Sequence, residues 1–473
     1  MTASNNLRAV NYGVIATASL AGLLFGFDTV VISGVTESVG NVFGLAKGGF
    51  WYGFAVASAL VGTLIGALIA GVPGDRYGSR DTLKIVGFMY VVSAVGCALC
   101  WNVESFYVFR FIGGLAIGAS SVLAPVYISE IAPADRRGAL TGLFQFNIVF
   151  GILLAFVSNA LVQQASGGED LWRLKLGIAA VPAVLFAILM YTIPQSPRWL
   201  MMRGRVDEAR DSLERVGVRD TGAMLEELRR GADEARQHSA LRLFSAANRR
   251  PIVLAILIAL FNQLSGINGI LYYLNDTLRA AGIEGMSNAW QSVAIGAANF
   301  IATLIALRVI DRVGRRKLLL IGSVGTALSL AAAAAIFMTG QGGQYFSAVL
   351  IVFIAFFAFS QGAVIWVYLA EIFPTPVRSR GQALGSATHW AMAAVVRDLL
   401  STPKGMQAAP KLTPEFLADF DRFNLTAQEG YLISLIDGRL TLDMLLKLSP
   451  FDNFTTLFNL AKLQQQRAII IPT

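Results

Sequence analysis

The sequence predicts an all-α membrane protein with ten full spans and a truncated eleventh, followed by a small soluble helical module. Three observations carry this. The chain is 55% hydrophobic and only 14% charged, where soluble domains average about 25% charged residues. Apolar runs recur at residues 11–34, 51–72, 84–103, 106–128, 139–162, 174–194, 251–274, 290–310, 318–339 and 345–372, each long enough to cross a hydrocarbon core of about 30 Å. Beyond residue 398 the composition turns abruptly to that of a soluble protein.

The first run carries GLLFGFDTVVISG (22–34), with Asp28 in an otherwise apolar stretch. A carboxylate at membrane depth costs about 2.5–3.5 kcal/mol, so it calls for a partner, a proton or a water-filled cavity. Gly22, Gly26 and Gly34 let neighbouring helices approach closely. Residues 1–8 lack the basic start and small-residue cleavage pattern of a secretory signal, so the first span is expected to remain as an anchor.

Loop charges set the direction. Arg76, Arg80 and Lys84 follow span two, Arg136 and Arg137 span four, a run of arginines span six, Arg312 to Lys317 span eight, and Arg378 and Arg380 span ten. By the positive-inside rule these loops and the N-terminus face the cytoplasm. The net charge of +8 is thereby explained by orientation, with no nucleic-acid partner expected. The long polar segment 195–250 alternates acids, arginines and leucines with helical period and reads as surface helices at the cytoplasmic face. Cys97 and Cys100 lie in one apolar run and read as buried thiols; no metal site or cofactor is indicated.

A repeat organises the whole. GDRYGSR (74–80) and PVYISEIAPADRRGAL (125–140) return as DRVGRRK (311–317) and WVYLAEIFPTPVRSRGQAL (366–384), in the same order at cytoplasmic helix ends. Two halves related by an axis along the membrane normal are one plan of secondary transporters, with the substrate near mid-depth between them. The divisions expected are a first bundle over 1–198, a cytoplasmic helical segment over 199–249, a truncated second bundle over 250–396, a linker over 397–412 and a helical module over 413–473. In that module Phe416, Phe420, Leu432, Leu435, Leu442, Leu445, Leu446, Leu457, Leu460 and Leu463 fall at helical spacing, and AIIIP (468–472) reads as a short strand.

Residues 11 to about 396 resemble the sugar porters of the major facilitator superfamily. The resemblance rests on GFDTVVISG, GDRYGSR, RFIGGLAIG, PVYISEIAPADRRG, PQSPRW, QLSGINGILYY, DRVGRR and AEIFPTPVRSRG, found in this order. It implies alternating-access transport of a monosaccharide or related polyol, without covalent chemistry, in a plasma (inner) membrane. An acid at the Asp28 position marks proton symporters in that family, with Arg110 as its partner. Depth agrees: Asp28 lies short of the outer end of an outward-running span and Arg110 just inside the outer end of an inward-running one.

For the sugar, hydrogen-bonding amides and an aromatic surface are needed. Span seven supplies Asn262, Gln263, Asn268, Tyr272 and Tyr273, of which Gln263, Asn268 and Tyr272 would share a helical face. The resemblance adds Gln145, Asn299, Trp366, His389 and Trp390. It also implies a salt-bridge latch of the outward-open state among Asp75, Arg76, Arg80, Glu130, Arg136, Arg137, Asp311, Arg312, Arg315, Arg316, Glu371, Arg378 and Arg380. The chain departs from the family at Ala116, a frequent glycine, at Asn262, a frequent glutamine, and at His389, where glutamine or asparagine is commoner. Ser79 interrupts the usual GRR, and Gln195 replaces an acid, so the latch is expected to be looser. Residues 425–450 resemble winged-helix-like modules of bacterial regulatory proteins. They leave two rival expectations: a sugar sensor reporting through its tail, or a truncated or fused product that does not transport. A protein partner or second chain at the truncated bundle is a further expectation.

Overall fold

The computed structural model describes residues 11–45, 50–132, 137–165, 170–218, 220–237, 244–245, 248–280, 285–339, 343–362, 364–365, 368, 372–373, 381, 384–392, 411–413, 432–436, 460, 463 and 469–470. Two compact units are present, Met1–Lys47 with Phe54–Arg397, and Gly48–Gly53 with Asp398–Thr473.

The large unit is helical. Its first half comprises α1 (Tyr12–Val31), α2 (Thr36–Val42), α3 (Phe50–Ile69), α4 (Gly71–Tyr77), α5 (Ser79–Leu99), α6 (Val103–Ile131), α7 (Arg137–Ala165), α8 (Leu171–Gly177) and α9 (Ala180–Leu189). Among the described residues nine helices are long and apolar enough to cross a membrane. α1 is apolar all round and buried all round, as a central helix must be. It lies against α7 at backbone distance: a Cβ at Gly26 would overlap the Ile148 carbonyl, so only glycine permits the contact. α5 packs against α6, α8 and α9.

After these spans follow α10 (Pro197–Met202), α11 (Val206–Val216) and α12 (Thr221–Gln237). Leu200, Ala209, Leu213 and Leu225 bury the apolar stripes of these helices against one another. Asn11 closes the circuit: its backbone N–H donates to Val216 O at 3.0 Å and its side chain to Arg215 O at 3.2 Å.

The second half departs from the expected pattern at span seven. In place of one uninterrupted helix over 251–274 there are α13 (Arg249–Leu264), α14 (Ile267–Tyr272) and α15 (Leu274–Ala280). The break falls at Gly266, which is left-handed at φ 76°. Glycine takes that conformation without a Cβ penalty, and so it ends α13 where other residues would continue it. α16 (Gly285–Val313) and α17 (Arg315–Thr339) are full spans. α18 (Phe346–Phe357) runs into a π turn through Gly362, and of the expected tenth span beyond it only residues 364–365, 368 and 372 are described. α17 packs on α18 and keeps an exposed apolar flank at Leu320, Val324 and Leu328. A helix is described over 384–392, inside the stretch read as a truncated eleventh span.

In the small unit, β1 (Lys411–Leu412) pairs antiparallel with β2 (Ile469–Ile470), so the strand expected at AIIIP forms. Leu432, Leu460 and Leu463 are buried. Phe416, Phe420, Leu442, Leu445, Leu446 and Leu457 lie outside the described residues.

Candidate functional site

α1 and α6 bring Asp28 and Arg110 together. Arg110 Nη1 donates to both carboxylate oxygens, at 2.9 and 3.0 Å. The arginine is 2% exposed and the acid 15%. Gly113, one turn along α6, leaves the room: a Cβ there would press on Ser93 Oγ and sit 4.0 Å from Asp28 Oδ1. Arg110 Nε has no hydrogen-bond partner among the described residues. The pair is thus buried, charge-assisted and incompletely satisfied, which makes it sensitive to the loss of either charge.

Between the halves lies a narrow cavity of about 100 Å³. Its walls come from α1 (Phe25, Thr29), α7 (Gln145, Ile148, Ile152), α13 and α14 (Asn262, Gln263, Asn268, Leu271), α16 (Asn299, Thr303), the α18 end, and His389 with Trp390. The break at Gly266 shapes the polar side. Asn268 Nδ2 donates to Gln263 Oε1 at 2.8 Å, and Gln263 Nε2 lies 2.7 Å from His389 Nε2. Phe25 and Trp390 meet with ring centroids 5.4 Å apart and supply the aromatic surface. Four buried polar atoms on these walls have no hydrogen-bond partner among the described residues: Gln145 Oε1, Asn262 Oδ1, Thr303 Oγ1 and Trp390 Nε1. Buried groups of this kind normally find partners, so their clustering around one cavity points to a hydrogen-bonding ligand.

Tyr272 and Tyr273 are not among the residues lining this cavity. Trp366 lies outside the described residues. Phe25, Thr29 and Thr303 were not singled out from the sequence, since isolated threonines and phenylalanines on apolar helices carry no distinguishing signal.

The charges expected to form the latch are described only in part. Among Asp75, Arg76, Arg80 and Glu130 no two form an ion pair with each other. Arg80 instead pairs with its sequence neighbour Asp81 at 2.8 Å, and Lys84 meets the same carboxylate at 2.8 Å. Gln195 explains the rearrangement. Its amide donates to Tyr77 O at 3.2 Å and to Asp81 Oδ2 at 3.1 Å, and accepts from Arg80 N at 3.3 Å and Ser196 N at 3.0 Å. It joins the α4–α5 turn to the PQSPRW segment. Trp199 Nε1 and Arg203 Nη2 strengthen that joint by donating to Asp75 O, at 2.9 and 2.8 Å. Arg312 and Arg316 are exposed, and Arg315 is half-buried. The side chains of Arg137 and Asp311, and all of Arg136, Glu371, Arg378 and Arg380, lie outside the described residues.

The outer ends of the two halves are tied together by contacts that the sequence did not disclose. Arg279 on α15 pairs with Glu37 on α2, and Thr36 Oγ1 donates to Asp276 Oδ2 at 3.0 Å.

Comparison with known proteins places this architecture. Residues 14–408 match the family described as "Sugar (and other) transporter". The chain belongs to that family. A sugar transporter of this kind is a multi-pass integral membrane protein and not an enzyme. It is 34% identical over 408 residues to the D-xylose-proton symporter of Escherichia coli K12, covering 80% of this chain and 83% of that one. To the arabinose-proton symporter of Bacillus subtilis it is 33% identical over 383 residues, covering 80% and 82%. Among solved structures it is similar to the partially occluded inward-open xylose transporter of E. coli, with a TM-score of 0.73, 32% identity and coverage of 83% of this chain and 91% of that one. A proton:xylose symporter bound to 6-bromo-6-deoxy-D-glucose aligns with a TM-score of 0.72 at 29% identity, over 96% of this chain and 95% of that one. The two-bundle, all-α transporter fold of this family is therefore the fold of this chain.

Proposed function

We propose that this transporter carries a monosaccharide of the pentose or hexose class together with a proton, by alternating access. The carrying observation is the set of orphaned polar atoms around the central cavity. Three are oxygens and one is an indole N–H, so the missing partner must both donate and accept, as sugar hydroxyls do. Phe25 and Trp390 suit the C–H face of a pyranose or furanose ring. Gln145, Asn262, Gln263, Asn268, Asn299, His389 and Trp390 are the sugar contacts in this reading, with Trp366 expected beside them. The cavity is smaller than the roughly 300–1,000 Å³ of open ligand pockets, so the walls must part for loading and release.

Asp28 takes the proton. While ionised it holds Arg110; once protonated it no longer neutralises the guanidinium, and the contact between α1 and α6 weakens. A pair that must break in one conformer and form in the other is a two-state element. The ties Glu37–Arg279 and Thr36–Asp276, with no ion pair among Asp75, Arg76, Arg80 and Glu130, fit a state closed to the outside. The arginines and acids at the cytoplasmic helix ends are the latch of the opposite state.

The N-terminus and the C-terminal residues lie in the cytoplasm in this reading, the latter as a helical module distinct from the bundle. Its support is that the family match stops at residue 408. The experiment is uptake of labelled D-xylose, L-arabinose and D-glucose into vesicles under an imposed inward proton gradient. Accumulation above the outside concentration, abolished by a protonophore, is expected for at least one sugar. Entry that only equilibrates would overturn symport, and binding without entry would favour the sensor.

A further inference from the structure

A second polar cavity, of about 260 Å³, lies at the outer ends of α1, α7, α8, α15 and α16. It shares no wall residue with the central cavity. Gly34, Asn159, Gln163 and Lys175 line it from the first half, and Arg279 and Ser292 from the second.

Lys175 is only 6% exposed. Its ammonium donates to Gly34 O at 3.0 Å and to Gln163 Oε1 at 2.8 Å, both neutral oxygens. No carboxylate among the described residues pairs with it, and the neighbouring cation Arg279 is engaged by Glu37 and Asp276. The third ammonium proton has no protein acceptor among the described residues. A buried cation answered only by neutral dipoles is costly, and the cost is removed by an anion in the cavity.

Asn159 supplies an independent pointer. It is 6% exposed, and its Nδ2 donates to Val31 O at 3.2 Å, which fixes the amide orientation. Its Oδ1 is left without a partner among the described residues. A bare halide would satisfy the lysine and leave this acceptor orphaned. A ligand with a carboxylate at one end and a hydroxyl donor at the other would satisfy both. The volume equals that of about eight or nine waters at ~30 Å³ each, enough for an acid of a few carbons.

We infer that this outer cavity is a second binding site, for a small hydroxy-carboxylate held by Lys175 and Asn159. Because its walls come from both halves, it exists only while the outer ends are closed, and its occupant stabilises that state. The inference does not depend on which sugar the central cavity takes.

The test is thermal unfolding of the purified full-length protein in detergent, titrated with sodium glycolate, sodium acetate or sodium chloride at constant ionic strength. Glycolate is expected to raise the midpoint saturably by several degrees, with acetate weaker and chloride without effect. Lys175→Met should abolish the shift and Lys175→Arg should keep most of it. Asn159→Ala should reduce the glycolate shift to that of acetate, and it serves as the decisive variant if Lys175→Met does not elute as a folded species. A glycolate shift unchanged in Lys175→Met, or a chloride shift equal to that of glycolate, would overturn the proposal.

Discussion

Asn268 hydrogen-bonds Gln263 across the turn at Gly266, Nδ2 to Oε1 at 2.8 Å, and so joins two helices that the chain has separated. Five residues apart on one straight helix, the two side chains would point about 140° apart around the axis, so the shared face expected from the spacing needs the break. The left-handed glycine folds the second helix back so that both amides face one cavity. Broken helices at membrane depth are tolerated where they line a polar site, which is the case here.

Gly266→Ala should therefore damage the site without touching a sugar. A non-glycine residue at this φ costs about 1–2 kcal/mol. Straightening of α13 into α14 would carry Asn268 away from Gln263. Initial uptake at subsaturating sugar should fall about tenfold, with membrane abundance near that of the wild type. Unchanged uptake would show that the turn does not set the geometry.

Asp28→Asn should uncouple the protein. It leaves Arg110 buried beside a neutral amide, and loss of one partner of a buried pair typically costs about 3–5 kcal/mol. Proton-driven accumulation should be lost, while exchange of sugar down its gradient persists. An Asp28→Asn variant that still concentrates sugar several-fold against its gradient would remove Asp28 from the coupling step.

The outer tie is a different kind of contact. Glu37 and Arg279 are both more than a third exposed, so the pair contributes only about 0.2–1 kcal/mol. Arg279→Gln should shift the conformers and not unfold the protein. A cysteine placed at Thr36 should react several-fold faster with an external, membrane-impermeant thiol reagent in that background. Equal rates would show that the tie plays no part in closure.

Gln195→Ala tests the cytoplasmic joint. Four hydrogen bonds from one buried amide are lost, at about 0.5–1.5 kcal/mol each before relaxation. The unfolding midpoint should drop by several degrees. Gln195→Glu should not rescue it, because a second carboxylate would face Asp81 without the amide's N–H donors.

Much of this protein was legible in its residues. Long apolar runs and the recurrence of GDRYGSR as DRVGRRK announce the membrane spans and the two-bundle plan, because burial in lipid acts on each segment independently. The lone acid at position 28 announced itself by its cost in hydrocarbon, and Arg110 was a partner implied by the family resemblance and consistent with its depth. What the folded chain decided was which of several reachable partners each polar group took. Arg80 chose Asp81 over the more distant acids, Gln195 became a hub, Gly266 broke the seventh span, and Lys175 was left facing a cavity with no carboxylate partner among the described residues. Such choices depend on helix phase and on distances of a few ångströms between segments remote in sequence, and no periodicity within a single segment encodes them.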